Sequence, residues 1–112
     1  MPRILLVEDD TAVRLVLIEI LFDAGYEVDA AQSLKAGAAI LDGGPRFDLV
    51  ITDYRLPDGN GMALVDKARR CSTPTLIITG DDRDLDPEKY AVLTKPMRPG
   101  AFLAAVRAAL SD

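Results

Sequence analysis

No histidine occurs among the 112 residues. That removes imidazole acid–base catalysis and a phosphohistidine of the chain's own, so any phosphorylated histidine in its chemistry must come from a partner. A single cysteine, Cys71, excludes an intrachain disulfide and a thiol-tetrad metal site. It fits a reducing, cytoplasmic setting. No apolar run approaches the roughly 20 residues of a membrane span, and Ile4 to Val7, behind Met1-Pro2-Arg3, is too short for a signal-peptide core. Positive charge is also scarce, with 13 Lys and Arg against 18 Asp and Glu for a net charge of -5. This argues against direct binding of nucleic acid, which needs gathered cations.

What the chain does have is a regular alternation of short apolar runs and longer helical patterns. Hydrophobic residues make up 49% and charged residues 28%, a balance that supports one globular core, so residues 1–112 read as a single domain. Ile4 to Val7, Phe47 to Thr52 and Thr75 to Thr79 are rich in branched side chains, the pattern of strands buried on both faces of a parallel sheet. Tyr26 to Ala30 alternates as a further strand, and Ala91 to Thr94 reads as the last. Ala12 to Ala24 predicts a helix stopped by Gly25, and Ser33 caps a second running to about Asp42. Gly61 to Arg70 and Pro99 to Leu110 predict two more. Parallel strands joined by right-handed helical crossovers give a doubly wound α/β fold with a five-stranded sheet. One segment is too short for that scheme. Residues 80 to 94 number 15, and a strand leaves only about ten for a helix and both its loops. Gly80 to Leu85 is polar, and Asp86-Pro87-Glu88-Lys89 offers a cap and a proline for one turn. A shortened or missing fourth helix is therefore expected.

Acids stand at two strand ends: Glu8-Asp9-Asp10 follows the first strand and Asp53 follows the third. In the doubly wound order 2-1-3-4-5 those strands are neighbours, and ligands bind beyond their carboxyl ends. Glu8, Asp9 and Asp53 then converge, and such a cluster repels itself unless a hard cation sits in it, Mg2+ or Mn2+ by its all-oxygen ligands. Thr79 adds a hydroxyl and Lys95 an ammonium at the same rim. This is a set for phosphoryl transfer, in which a carboxylate attacks phosphorus while cations neutralise the equatorial oxygens.

ILLVEDD at 4 to 10, DLVITDYRLPDGNG at 48 to 61, LIITG at 76 to 80 and LTKP at 93 to 96 together resemble the receiver domains of bacterial two-component response regulators. The resemblance covers essentially the whole chain and implies a flavodoxin-like (βα)5 fold. It implies Asp53 as phosphoacceptor, Glu8 and Asp9 as the metal-binding acids, the backbone carbonyl of Arg55 as a further ligand, Thr79 as switch hydroxyl and Lys95 as the phosphate-pairing lysine. It also implies a cis bond before Pro96, a histidine kinase or histidine phosphotransfer protein as donor, and a downstream protein partner, with the chain a monomer or weak dimer. Two features depart from the family. Where it often carries an aromatic switch, three residues before the lysine, stands Val92; Tyr90 takes that role only if the register differs. The short segment before Lys95 alters what is commonly the output face.

The neighbouring residues have plainer readings. Asp10 and Thr11 suit a helix cap, and Asp58-Gly59-Asn60-Gly61 suits a turn. Ala101, Ala104, Ala105 and Ala108 suit close helix packing. Arg55 and Asp81, each two residues beyond a pocket residue, are candidates to flank the entry of the hydrolytic water. With no output domain inside 112 residues, the chain is expected to stand alone or to be cut from something longer. A receiver segment of a hybrid histidine kinase, or a phosphate sink or relay, carries the same motifs. A haloacid-dehalogenase-like phosphatase requires an acid where Arg55 stands, and a flavin carrier requires a first loop without the acids of Glu8-Asp9-Asp10.

Overall fold

The computed structural model describes residues 1–111. Its strands and helices follow the order β1 (Arg3–Val7), α1 (Thr11–Asp23), β2 (Glu27–Ala31), α2 (Leu34–Gly43), β3 (Leu49–Asp53), β4 (Arg55–Leu56), β5 (Gly59–Asn60), α3 (Met62–Arg70), β6 (Thr75–Thr79), β7 (Val92–Thr94) and α4 (Pro99–Ser111). Five strands form one parallel sheet in the order β2-β1-β3-β6-β7, and β4 and β5 form a separate two-stranded hairpin. With that hairpin set aside, the sheet has the expected order 2-1-3-4-5.

The two-residue period of a strand sorts its side chains onto two cores. Ile4 and Leu6 of β1 join Leu49, Ile51, Leu76 and Ile78 against Leu17 and Leu21 of α1 and Phe102 and Val106 of α4. Leu5 and Val7 face the other way, with Val50, onto Leu64 and Ala68 of α3. Gly37 of α2 lies against Val7 so closely that a Cβ there would sit 2.9 Å from its methyl group.

Helix ends follow their caps. Asp10 accepts from the Val13 amide at 3.0 Å and starts α1. At the other end the Gly25 amide bonds the Phe22 carbonyl at 3.0 Å and the Tyr26 amide bonds Leu21 at 3.1 Å. This is a Schellman closure with Gly25 at φ 94°. Tyr26 is consumed by it, so β2 begins at Glu27, one residue later than expected. β3 likewise begins at Leu49 rather than Phe47 and extends to include Asp53. The Lys95–Pro96 bond is cis.

Residues 80–91 carry no helix. Two turns are closed there, one by the Leu85 amide on the Asp82 carbonyl at 3.0 Å and one by the Lys89 and Tyr90 amides on the Asp86 carbonyl at 3.1 and 2.9 Å. Leu85 from this segment is buried against Val65 and Ile77, with Tyr54, Met62, Tyr90 and Val92 around them. A loop thus covers sheet surface that a crossover helix would otherwise bury. Leu85→Ala is expected to cost about 2–3 kcal/mol in urea denaturation, against less than about 0.5 kcal/mol for the exposed Leu15→Ala. Equal losses would show that the loop contributes no core.

Candidate functional site

The parallel registers line up the strand ends, with Val7 beside Thr52, Asp53 beside Ile78 and Thr79 beside Thr94. Residues at and just beyond those positions meet at one rim. Glu8, Asp9 and Asp53 each offer a carboxylate oxygen, and these oxygens lie within 4.8 Å of one another. The Lys95 ammonium donates to Glu8 Oε1 at 2.8 Å and stands 3.1 Å from Asp53 Oδ1. A cavity of about 240 Å³ opens above, lined by Asp9, Asp53, Arg55, Thr79, Asp81 and Lys95 among others. Glu8 is fully buried behind this wall, where its second oxygen accepts from the Asp10 amide at 3.1 Å and its carbonyl accepts from Arg14 at 2.9 Å.

The electrostatics are those of too little positive charge. Burial, and then the adjacent Glu8, push the Asp53 carboxyl up to about 8, with Lys95 opposing. Burial would also raise Glu8, but its bonds with Asp53, Lys95 and the Asp10 amide hold it below the ordinary carboxylate range. Burial works against the charged Lys95, and the bond to Glu8 and the charge of Asp53 outweigh it, raising its pKa. Although Lys95 is in ion-pair contact with Asp53, neither Asp53 oxygen has an aligned hydrogen-bond donor among the described residues. Two orphaned buried oxygens with two further carboxylates close by are what a hard divalent cation satisfies, so the donor set fits one.

Thr79 Oγ1 donates to the Asp81 carbonyl at 2.9 Å and accepts from the Asp81 amide at 3.2 Å. Asp81 in turn holds Arg83 through its carboxylate, with Nη2 to Oδ2 at 2.6 Å. Val92 pairs with Ile77 in the register that sets Thr79 beside Thr94. Tyr90 precedes β7, its ring lying 4.5 Å from the Arg69 guanidinium carbon, and in the observed register Val92, not Tyr90, stands beside Ile77. All six expected site residues thus reach one end of the sheet. Sequence reasoning missed Arg14, which reaches back to Glu8 from the first turn of α1. It also missed the β4–β5 hairpin, because two-residue strands have no periodicity to detect.

A family model described as response regulator receiver domain matches residues 4–107. Among curated proteins, the transcriptional regulatory protein PmrA of Pectobacterium parmentieri is 35% identical over 95% of this chain and 51% of its own length. The two-component response regulator ORR11 of Oryza sativa subsp. indica is 30% identical over 88% of this chain and 74% of its own. The chain therefore spans about half the length of PmrA. Among solved structures, a CheY-like receiver domain protein from Methanospirillum hungatei JF-1 superposes with a TM-score of 0.88 at 29% identity, covering 99% of this chain and 94% of that one. The chemotaxis response regulator CheY4 of Vibrio cholerae gives 0.85 at 30% identity, covering 98% and 99%. These matches favour a receiver over the phosphatase and flavin-carrier readings.

The raised pKa of Asp53 has a definite sign. From its unperturbed value of 3.8 up to about 8, the folded chain holds a proton that the unfolded chain lacks, so this group's contribution to stability falls as pH rises through that window. A bound cation competes with the same proton. Mg2+ affinity, followed through tyrosine fluorescence, is therefore expected to be weaker at about pH 6 than at about pH 9. Asp53→Asn should flatten the dependence; a wild-type affinity that ignores pH would contradict this account.

Proposed function

The chain belongs to the response regulator receiver domain family of two-component signalling, and from that premise we propose that Asp53 is its phosphoryl acceptor. The observation that carries the proposal is the buried Asp53 carboxylate, without an aligned hydrogen-bond donor among the described residues and facing a cavity beside Lys95. In this reading residues 1–112 act as one receiver unit. A carboxylate oxygen of Asp53 attacks phosphorus, the bond to the donor's imidazole nitrogen breaks, and an acyl phosphate forms. With no histidine in the chain, the donor is a histidine kinase or histidine phosphotransfer protein.

Glu8, Asp9, Asp53 and the backbone carbonyl of Arg55 would hold Mg2+, which supplies positive charge against the phosphoryl oxygens. Lys95 neutralises the same charge from the other side and moves from a carboxylate to the phosphoryl group without leaving the rim. The Thr79 hydroxyl bonds a phosphoryl oxygen only by giving up the Asp81 carbonyl that it holds now. Phosphorylation thereby loosens the start of the segment that carries Leu85. That segment, rather than an aromatic at Val92, transmits the added charge to a downstream protein partner.

An apolar groove of about 590 Å³ supports the choice of donor. It runs between α1 and the chain from Lys95 to Phe102, lined by Val13, Val16, Ile20, Pro96 and Met97 among others. Lys95 borders both this groove and the acidic cavity. An amphipathic helix laid there would bring a histidine on its flank to Asp53.

Incubation with Mg2+ and a small acyl-phosphate donor should add one labile phosphoryl group by intact mass. Asp53→Ala and a chelated control should add none. Failure with the small donor, with beryllofluoride and with a donor kinase alike would overturn the acceptor assignment. Arg55 and Asp81 flank the cavity mouth, where they regulate the entry of the hydrolytic water. Replacing both with alanine is expected to change the lifetime of the aspartyl phosphate; an unchanged lifetime sinks that role.

A further inference from the structure

The turn at Pro57-Asp58 does more than reverse the chain. Arg55 pairs with Asn60 and Leu56 with Gly59, so Asp58 stands at the tip of the β4–β5 hairpin. Its two carboxylate oxygens accept from the backbone amides of Leu34 and Lys35, at 2.8 and 2.9 Å. These are the first two amides of α2, and the third, on Ala36, is taken by Ser33 Oγ at 3.1 Å. The amides lie 23 and 24 residues away in sequence, so a side chain from one crossover caps the helix of another. The bonds from Lys35 and Leu34 hold the Asp58 pKa below the ordinary carboxylate range, as expected for an anion at a helix N-terminus.

The base of the hairpin is tied down independently. The Gly61 amide bonds the Tyr54 carbonyl at 2.7 Å. Gly61 also presses so close to the Asp53 carbonyl that a Cβ there would overlap it. Arg55 therefore lies on a short ribbon pinned at its foot to the acceptor strand and at its tip to α2. A free ribbon of six residues, Arg55 to Asn60, would have to be ordered each time its carbonyl met a cation, whereas a clamped one is ordered beforehand.

We propose that Asp58 is a positioning residue for the cation site, holding the hairpin so that the Arg55 carbonyl is preset as a ligand. The inference rests on the reading of Asp53 and the Arg55 carbonyl as cation ligands. It assigns to Asp58 a task that the turn itself does not require, since proline and glycine neighbours would suffice for the reversal. Tightening of the cation site and capping of α2 become one linkage, through which α2 and the acceptor strand report on each other.

The test is a Mg2+ titration of the full chain, read by tyrosine fluorescence, for wild type, Asp58→Ala, Asp58→Asn and Ser33→Ala. Ser33→Ala removes a cap from the same end of α2 without touching the hairpin, and serves as the control for helix fraying. Asp58→Ala is expected to weaken Mg2+ binding about tenfold, the scale of a lost outer-shell contact. Asp58→Asn, which keeps one acceptor oxygen, should fall between, and Ser33→Ala should bind as wild type does. At saturating Mg2+ the rate of phosphorylation by a small donor should return close to wild type in Asp58→Ala. Wild-type affinity in Asp58→Ala, or an equal loss in Ser33→Ala, would overturn the clamp alone. A wild-type chain that bound no Mg2+ would overturn the cation site with it. Should Asp58→Ala fail to fold, Asp58→Asn carries the same comparison.

Discussion

The Lys95 ammonium held between Glu8 and Asp53 is the contact on which the rest of the structure depends. It joins residues 87 positions apart, at a rim to which the parallel registers bring the ends of β7, β1 and β3. Removing two carboxylates from water is costly, and one ammonium repays only part of that cost. The remainder is visible in Asp53, whose carboxyl is pushed up to about 8 because burial and Glu8 outweigh Lys95. A site in that state favours whatever brings positive charge. In the proposed function a cation fills that deficit and, with Lys95, offsets the negative charge that a phosphoryl group on Asp53 would add.

The strands can bear this because they are rigid. β1 and β3 are buried on both faces between the α1–α4 layer and the α2–α3 layer. Their ends are consequently fixed points, and the adaptable parts lie in the loops that leave them. The β4–β5 hairpin is bound at both its tip and its foot. The 80–91 segment is held differently, by the Thr79–Asp81 bonds at its start and by Leu85 in a small apolar cluster. In the proposed function the first loop stays in place when a phosphoryl group arrives, and the second begins at the Thr79 hydroxyl which that group would recruit.

Loss of the crossover helix between β6 and β7 has consequences beyond length. Tyr90 packs near Val65 and Ile77 and its ring faces Arg69, so the aromatic group just before β7 lies on the α3 side, in the same cluster as Val92. The Arg69 guanidinium also donates to the Lys89 carbonyl at 2.6 Å, fastening the segment to α3. A surface formed in this way presents a loop fastened to the end of α3 between β6 and β7.

Most of the architecture was legible from short-range patterns. Branched apolar runs marked the strands, Gly25, Ser33 and Pro99 marked helix ends, and the shortage of residues between Thr79 and Lys95 foretold the missing helix. Glu8, Asp9, Asp53, Thr79 and Lys95 were legible as a group because each stands at or just past a strand end, and strand order carries them to one rim. The details that failed were of two kinds. Strand starts slipped where a helix closure consumed the next residue, as at Tyr26, because periodicity does not record who satisfies a carbonyl. Long-range polar bonds left no trace at all: Asp58 reads as a turn residue, and only the packing of α2 beside the hairpin makes it a cap. By itself the sequence determined which residues could be buried, where helices stop and which chemistry stands at the strand ends, since those depend on neighbours along the chain. The tertiary structure alone decided that Glu8 lies behind the cavity wall, that Asp53 lacks aligned donors among the described residues and that Asp58 spans two crossovers, because burial and hydrogen bonding are settled by what arrives from elsewhere in the chain.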